Sequence, residues 1–464
     1  MTSCFRKSFL YLRIKSIILK IMTIIHKLTT ICFFLLTFVF AYAQVDYDTI
    51  KIKRTFTSEW IDMPIQVVGI KGCMAINRDD LTRYGSYKHL RIDSTGFFYV
   101  KKVDDRWWLI DPDGYAGINM AVSSFDQTDI ISNYGIIVKN GFNSIGNFLA
   151  NENQTDSVYN RQNEIQLSYT RRLNFFLSYQ KIRNNYYKTP AEIQKSLNYI
   201  YVLDPKFEEF CFELAKNKVL PFVDERNLLG WFTDNEINFN QDQLRNLIKD
   251  LPVGDPSRNA ALAFAKSKGL TEYDCVNYTA KVTEEIKVEF ATLLAEHYFR
   301  IVSSAIRNYD KNHLMLGSRL NGRPRAIQAV VNASHKFMDV TSVNFYDRLA
   351  PDEQIALQNW TNDHPCLVGE FYTKDINVFE IPQSGAGFYV NSQVDRGKFY
   401  QNTCLQLLRN KCFIGWHYFR FIDNADSNKG IVNTRKQEYT DMTKYMSELN
   451  FNVYRICNYF DKNR

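Results

Sequence analysis

Two glutamates close short apolar runs in this chain: Glu236 in GWFTDNEINF (230–239) and Glu370 in PCLVGEFY (365–372). A strand buried on both faces of a parallel sheet is nearly continuous hydrophobe. Asp234, Asn235 and Glu236 in a row break that pattern. Either the strand has run into its loop, or it presents a carboxylate for chemistry. In barrels of parallel strands, catalytic groups come from the C-terminal strand ends. Two carboxyl groups across such a mouth can cleave a glycosidic bond: one protonates the leaving oxygen and the other attacks the anomeric carbon. Strand-end acids can equally be structural, and the pair alone supports both readings.

The elements that must hold this pair follow from the pattern of the chain. From about residue 100, short β-rich runs alternate with helical stretches, which predicts a parallel sheet with helical crossovers. Eight strands are predicted, at 115–122, 142–148, 174–180, 228–236, 313–320, 339–346, 365–372 and 413–421. Residues 284–308 place Phe290, Leu293, Leu294, Ile301 and Ala305 on one helical face. A second helix starts at Ser392, an N-cap type with Asp395 three residues on. The fold class is therefore α/β, a (β/α)8 barrel spanning residues 101–464. Residues 44–100, rich in Thr, Ile, Val and Tyr, read as a small β-rich N-terminal region of three or four strands. DDRWWLIDPDGY then reads as a hairpin leading into the barrel, with Asp113-Gly114 as a turn.

The 464 residues, 45% of them hydrophobic, are enough for one such barrel with additions. Residues 1–43 form a leader: a basic start, an apolar run over 31–40, then Ala41-Tyr42-Ala43. That is the plan of a secretory signal peptide cleaved before Gln44, with Met22 a candidate for the true start. The expected location is periplasmic or secreted; an uncleaved leader would tether the protein to a membrane. Removing the leader's six basic residues from 57 leaves 51 against 50 acids, so the mature chain is near neutral and gives no reason to expect nucleic acid. Cys73, Cys211, Cys275, Cys366, Cys404, Cys412 and Cys457 are widely spaced and include no C-x-x-C pair, so neither a metal site nor a disulfide framework is expected, and no cofactor.

Taken in order, these segments resemble glycoside hydrolase family 50, the β-agarases of clan A, over most of residues 100–445. DRWWLIDPDGY, NGFNSIGNF, LLGWFTDNEINF, LGSRLNGRP, SVNFYDR, CLVGEFY and SQVDRGKFY carry the resemblance. It implies Glu236 as acid/base, Glu370 as nucleophile and Asn235 as a hydrogen-bond partner of a sugar hydroxyl, the 2-OH in clan A enzymes. Asn147, Arg319 and Asn344 fall where family members line the pocket, and Tyr346 where a hydroxyl could donate to the nucleophile. Asp234 is expected to hold the strand end rather than react. In GWHYFRFIDN the family usually has His-Trp-Phe, with Trp as the sugar platform; here Tyr418 takes that place. Trp416, two residues earlier, shares its face. One of the two rings is expected to floor the pocket. The loop DNADSNKGIV is shorter than agarases carry, which leaves agarose itself open.

The implied function is a retaining β-glycoside hydrolase acting on a β-galactan polysaccharide or oligosaccharide of agarose type. Two alternatives stand beside it: another clan A exo-β-glycosidase resembling a β-galactosidase, and a catalytically silent carbohydrate-binding barrel. The pair of glutamates argues against the second, because binding alone does not require it.

Overall fold

The structure, a computed structural model, describes residues 44–69, 78–147, 165–184, 199–349, 361–378 and 383–462. The leader and Cys73 lie outside the described residues. The chain divides into two compact units, residues 1–44 with 69–74 and residues 45–68 with 75–464. Only Gln44 and Gly69 of the first unit are among the described residues, and the barrel lies wholly in the second.

Eight parallel strands make the barrel: β1 Asn119–Val122, β2 Ser144–Ile145, β3 Ser168–Arg172, β4 Leu228–Phe232, β5 Leu314–Gly317, β6 Thr341–Asn344, β7 Cys366–Phe371 and β8 Phe413–Tyr418. Their order in the sheet is β5-β4-β3-β2-β1-β8-β7-β6, with every neighbouring pair parallel. A parallel bridge between Leu320 and Val343 joins the segment after β5 to β6 and brings the two ends of the sheet together. Leu320 N donates to Ser342 O at 2.9 Å and Asn344 N donates to Leu320 O at 3.0 Å. The expected (β/α)8 architecture is the one observed.

One strand is not where the pattern puts it. Residues 174–180 are expected as the third strand, but α1, Phe175–Asn184, is helical and the strand is β3, SYTRR. Phe175, Phe176 and Tyr179 are buried at helical spacing. The helix start is held by Asp234, whose carboxylate accepts from Phe176 N at 2.8 Å and Leu177 N at 3.0 Å. β3 has only Tyr169 as an apolar residue, so a search for hydrophobic runs passes over it.

The long helix α2, Glu284–Arg307, buries Phe290, Leu294, Ile301 and Ala305, whereas Leu293 at the edge of that stripe is exposed. Helix α3, Gln393–Asn410, is capped as expected by Ser392, whose side chain accepts from Asp395 N at 3.1 Å. In the N-terminal region, Gln44–Ile52 and Ile61–Gly69 form a two-stranded sheet, fewer strands than expected among the described residues. Ile50, Ile52, Met63 and Ile65 pack with Phe388, Val390 and Phe399, and Gln66 N donates to Asn402 Oδ1 on α3 at 2.9 Å.

The hairpin before β1 pairs Tyr99–Val103 with Arg106–Ile110 through a two-residue turn, Asp104-Asp105, with Asp104 at φ 52°. Asp113-Gly114 makes the next turn, as expected. Gly114 sits at φ 92°, and a Cβ there would lie 2.8 Å from Ser94 N, so glycine is required. Leu109 of this hairpin joins Tyr84, Phe98, Leu229, Phe232, Leu314, Leu316, Val340, Leu367 and Ile414 in one core cluster inside the barrel.

Candidate active site

The ends of β4, β6 and β7 and the segment after β5 bring a set of polar side chains together. Asn235 and Glu236 lie three and four residues past the end of β4, both half-buried. Glu236 N donates to Ser318 O at 2.9 Å, tying the turn to the segment after β5. Glu236 and Arg319 hold φ of 56° and 51°, the left-handed region that costs a non-glycine residue about 1–3 kcal/mol. That cost is borne where two side chains must turn inward.

Glu370 reaches the same space through an irregularity in β7. Leu367 pairs with Gly415 and Val368 with Trp416, but Phe371 pairs with Tyr418, so β7 carries one residue more than β8 there. Against β6 the same slip pairs Val343 with Val368 and Asn344 with Glu370. Strict alternation would put Glu370 on the face of Val368, away from the barrel interior. The bulge re-aims it beside Asn344.

The contacts around the two carboxyl groups form a connected set. Asn344 Nδ2 donates to Glu236 Oε1 at 2.6 Å and lies 3.2 Å from Asn235 Oδ1. Asn321 Nδ2 donates to the same Glu236 oxygen at 3.1 Å. Glu370 is 4% exposed; its Oε1 lies 3.0 Å from Arg319 Nη1 and its Oε2 accepts from the Tyr346 hydroxyl. Arg319 is fully buried, its guanidinium 5.1 Å from the centre of the Phe232 ring. A Cβ on Gly369 would lie 2.6 Å from Arg319 Cδ and 3.0 Å from Asn344 Oδ1, so this glycine makes the space the arginine fills.

Burial pushes the Glu370 carboxyl above the usual range, opposed by the Arg319 charge and the Tyr346 hydrogen bond. Burial likewise pushes Tyr346 far up, and Glu370 adds to this, so its hydroxyl stays a donor. The same burial lowers Arg319, which nonetheless keeps its charge, as arginine does in proteins. Asp234 is separate: it is buried, and besides the α1 amides it accepts from Tyr298 OH at 2.7 Å. It is expected to hold the strand end, and what it holds is the start of α1. Asn147, after β2, is buried with its carbonyl accepting from Ser124 N at 2.7 Å, and no hydrogen bond joins it to either glutamate.

No family model matches the chain. Beta-agarase B of Vibrio sp. (strain JT0107) is 22% identical over 298 residues, 54% of this chain and 30% of that protein. Beta-agarase A of the same organism is 30% identical over 173 residues, 34% of this chain and 17% of that protein. The matched stretch is thus less than a third of either relative's length. The crystal structure of BpGH50 superposes with a TM-score of 0.79 at 27% identity, covering 90% of this chain and 97% of that one. The chain is β-agarase-like and resembles glycoside hydrolase family 50. An exo-beta-agarase structure shares the fold, with a TM-score of 0.63 at 18% identity over 81% of this chain and 67% of that one.

Against the family 50 pattern, strand eight needs a correction. Trp416 and Tyr418 do share a face, but it is the face turned to α3 and not the barrel mouth. Trp416 is fully buried and donates from its indole nitrogen to Tyr400 OH at 2.9 Å. Tyr418 is buried too, and its hydroxyl accepts from Arg396 at 2.8 Å. Neither ring can floor the pocket. The inward residue between them is His417, whose Nε2 lies 2.9 Å from Asn119 Oδ1 and whose ring meets Phe232 edge-on at 5.7 Å. Burial, with Arg319 nearby, lowers His417 to about 3, so it is neutral.

Just past β8, the half-buried Phe419 ring lies 5.8 Å from Tyr372, which in turn lies 5.2 Å from Tyr346 beside Glu370. Sequence pattern alone singles out neither Phe419 nor Asn321. Phe419 shares the parity of His417, a signal usable only once the inward face is known. Asn321 follows Arg319 by two residues in SRLNG, and nothing in its type sets it apart.

Proposed function

We propose that this β-agarase-like chain is a retaining β-glycoside hydrolase acting on β-galactosidic linkages of an agarose-type galactan or its oligosaccharides. The observation that carries the reading is Glu370, gripped on one oxygen by Arg319 and on the other by Tyr346, with Asn344 linking it to Glu236. These two contacts favour the ionised form against burial and aim the carboxylate, as a nucleophile needs. Glu370 attacks the anomeric carbon; the glycosidic C–O bond breaks, and the leaving oxygen takes the proton of Glu236. Glu236, now a carboxylate, removes a proton from water, which attacks the same carbon and releases Glu370. Asn235 and Asn344, beside the acid, bond sugar hydroxyls, and Phe419 offers a ring face to the C–H side of the pyranose. The galactan assignment is supported by the names of the two curated relatives.

Purified protein incubated with agarose, neoagaro-oligosaccharides and aryl β-galactosides, with product sizing and anomeric NMR, tests this. The expected result is agaro-oligosaccharide cleavage with retained configuration and labelling of Glu370 by a 2-fluoro glycoside. Label on Glu236 would exchange the roles, and an inverted product would end the double-displacement reading. Release of monosaccharide alone from small galactosides would favour a β-galactosidase. The proposed location is the periplasm or the medium after cleavage behind Ala43; an intact leader in the membrane fraction would overturn it.

A further inference from the structure

The loop after β8 carries two cations that the cleavage chemistry does not use. Lys429 is only 8% exposed, and among the described residues its ammonium makes neither a hydrogen bond nor an ion pair. It lies 4.9 Å from the centre of the Tyr372 ring and 5.9 Å from that of Phe419. Arg420, half-buried, has its guanidinium 5.6 Å from Phe419 and a buried Nε without a hydrogen-bond partner. The two residues are tied by their backbones, Arg420 N donating to Lys429 O at 3.2 Å.

The nearby acids do not neutralise them. Asp423 spends one oxygen on Gly430 N at 2.6 Å and the other on Tyr439 OH at 2.7 Å. Asp426 is exposed and accepts from Asn424 Nδ2 at 2.6 Å. Neither reaches Lys429 or Arg420 within ion-pair distance. Both oxygens of Glu370 are already held by Arg319 and Tyr346. More positive charge stands behind: Lys374, also buried, donates to Gly385 O at 2.9 Å, and among the described residues Arg396 has no carboxylate contact.

Buried charges are ordinarily paired, because desolvating an unpaired ion is costly. Contact with aromatic faces offsets only part of that cost for Lys429. Burial is the largest influence on both and lowers Lys429 and Arg420; Asp426 at longer range opposes it for Lys429, the Arg420 charge lowers Lys429 further, and Asp423 and Asp426 oppose it for Arg420. Burial, with Lys429 nearby, takes Lys374 down to about 8. An arrangement of this kind is completed by an anion. Its position names where the anion belongs: Lys429 sits against Tyr372, Tyr372 against Tyr346, and Tyr346 on Glu370. The anion therefore rides on a sugar at the cleavage point or next to it.

We propose that Lys429 and Arg420 form an anion subsite beside Phe419, which receives a sulfate ester or a carboxylate carried by a galactan sugar. The proposal rests on the barrel mouth being a sugar site, and it specifies which galactans fit. It adds a preference for a charged sugar over the neutral sugars of agarose.

Calorimetric binding in the Glu236→Gln background tests it, with three oligosaccharides of matched length: neutral, 6-O-sulfated and uronate-bearing. At least one anionic sugar should bind roughly 10-fold or more tighter than the neutral one, as expected for charge-assisted hydrogen bonds. Which one does so identifies the anion. Adding Lys429→Met or Arg420→Gln should collapse that preference by roughly 10-fold, and added salt should weaken it. Arg420→Gln, at a half-exposed position, guards against a folding defect in Lys429→Met, and melting curves of both report it. Equal binding of neutral and anionic sugars, a preference that survives both substitutions, or no binding of either anionic sugar overturns the subsite. Cleavage of neutral agarose without anionic preference overturns the subsite and leaves the hydrolase reading standing. Anionic preference without cleavage does the reverse.

Discussion

Replacing Tyr346 by Phe deletes one hydroxyl and leaves a ring of the same shape against Tyr372, 5.2 Å away. That hydroxyl donates to Glu370 Oε2. Burial drives Glu370 toward its neutral form, and Arg319 and Tyr346 are the two groups that resist most. Only the ionised form can attack. Losing a donor to the ionised form therefore moves the acid limb of kcat/KM to higher pH. A hydrogen bond to a charged group contributes ~1.5–3 kcal/mol, and each ~1.4 kcal/mol is tenfold in rate. On the acid limb the variant should thus lose roughly 10- to 150-fold. At higher pH, where Arg319 alone keeps Glu370 charged, the loss should be smaller. The assay is kcat/KM against pH on a neoagaro-oligosaccharide, with a melting curve to show that the fold is intact. An unmoved acid limb and a rate within about twofold of the parent would remove Tyr346 from the site and weaken the assignment of Glu370 with it.

Three further outcomes are expected. Burial raises Asp234 from 3.8 to about 6, so the native state holds this proton more tightly than the unfolded chain. Its stability contribution is full below pH 3.8 and lost as pH rises through about 6, a swing of about 3 kcal/mol. Asp234→Asn should therefore cost more in acid than at neutral pH by urea unfolding, and an equal cost at both would contradict the burial argument. Gly369→Ala would drive a methyl to 2.6 Å from Arg319 Cδ; kcat/KM should fall by roughly 10²-fold, and parent-level activity would mean the arginine is free to move. Trp416→Ala should cost about 3–5 kcal/mol of stability, whereas Phe419→Ala should lower kcat/KM with little change in melting temperature. The opposite pattern would return a strand-eight ring of the expected pair to the pocket.

Much of the barrel was legible because most of its strands advertise themselves. CLVGEF and LLGWF are apolar runs bounded by turn residues, and two-sided burial in a parallel sheet demands such runs. α3 was legible from a cap, since Ser392 and Asp395 have a local job that tertiary context does not alter. β3 was not legible. Ser168, Thr170, Arg171 and Arg172 show no apolar run, and FFLSYQ next door offered a better one. The deciding contact comes from 58 residues away, the Asp234 carboxylate on Phe176 N, and no local window contains it.

The site divides along the same line between identity and orientation. Glu236 and Glu370 stand out by residue type, since a carboxylate at a strand end is conspicuous wherever it points. Orientation has to come from elsewhere in the fold. On β8 the period of two correctly puts Trp416 and Tyr418 on one face, yet a strand buried on both sides looks alike from either, and the expected face is the wrong one. His417, fully buried against Asn119, reveals the inward face only through a partner on β1. Glu370 makes the point more sharply. Strict alternation from Leu367 would aim it outward, with Val368, and only the extra residue in β7 turns it toward Arg319. Gly369 is the residue in that stretch with no side chain to obstruct either the bulge or the arginine beneath it. The pair Gly369-Glu370 therefore acts as a unit: the glycine admits the cation, the bulge delivers the anion, and each is without use in the absence of the other.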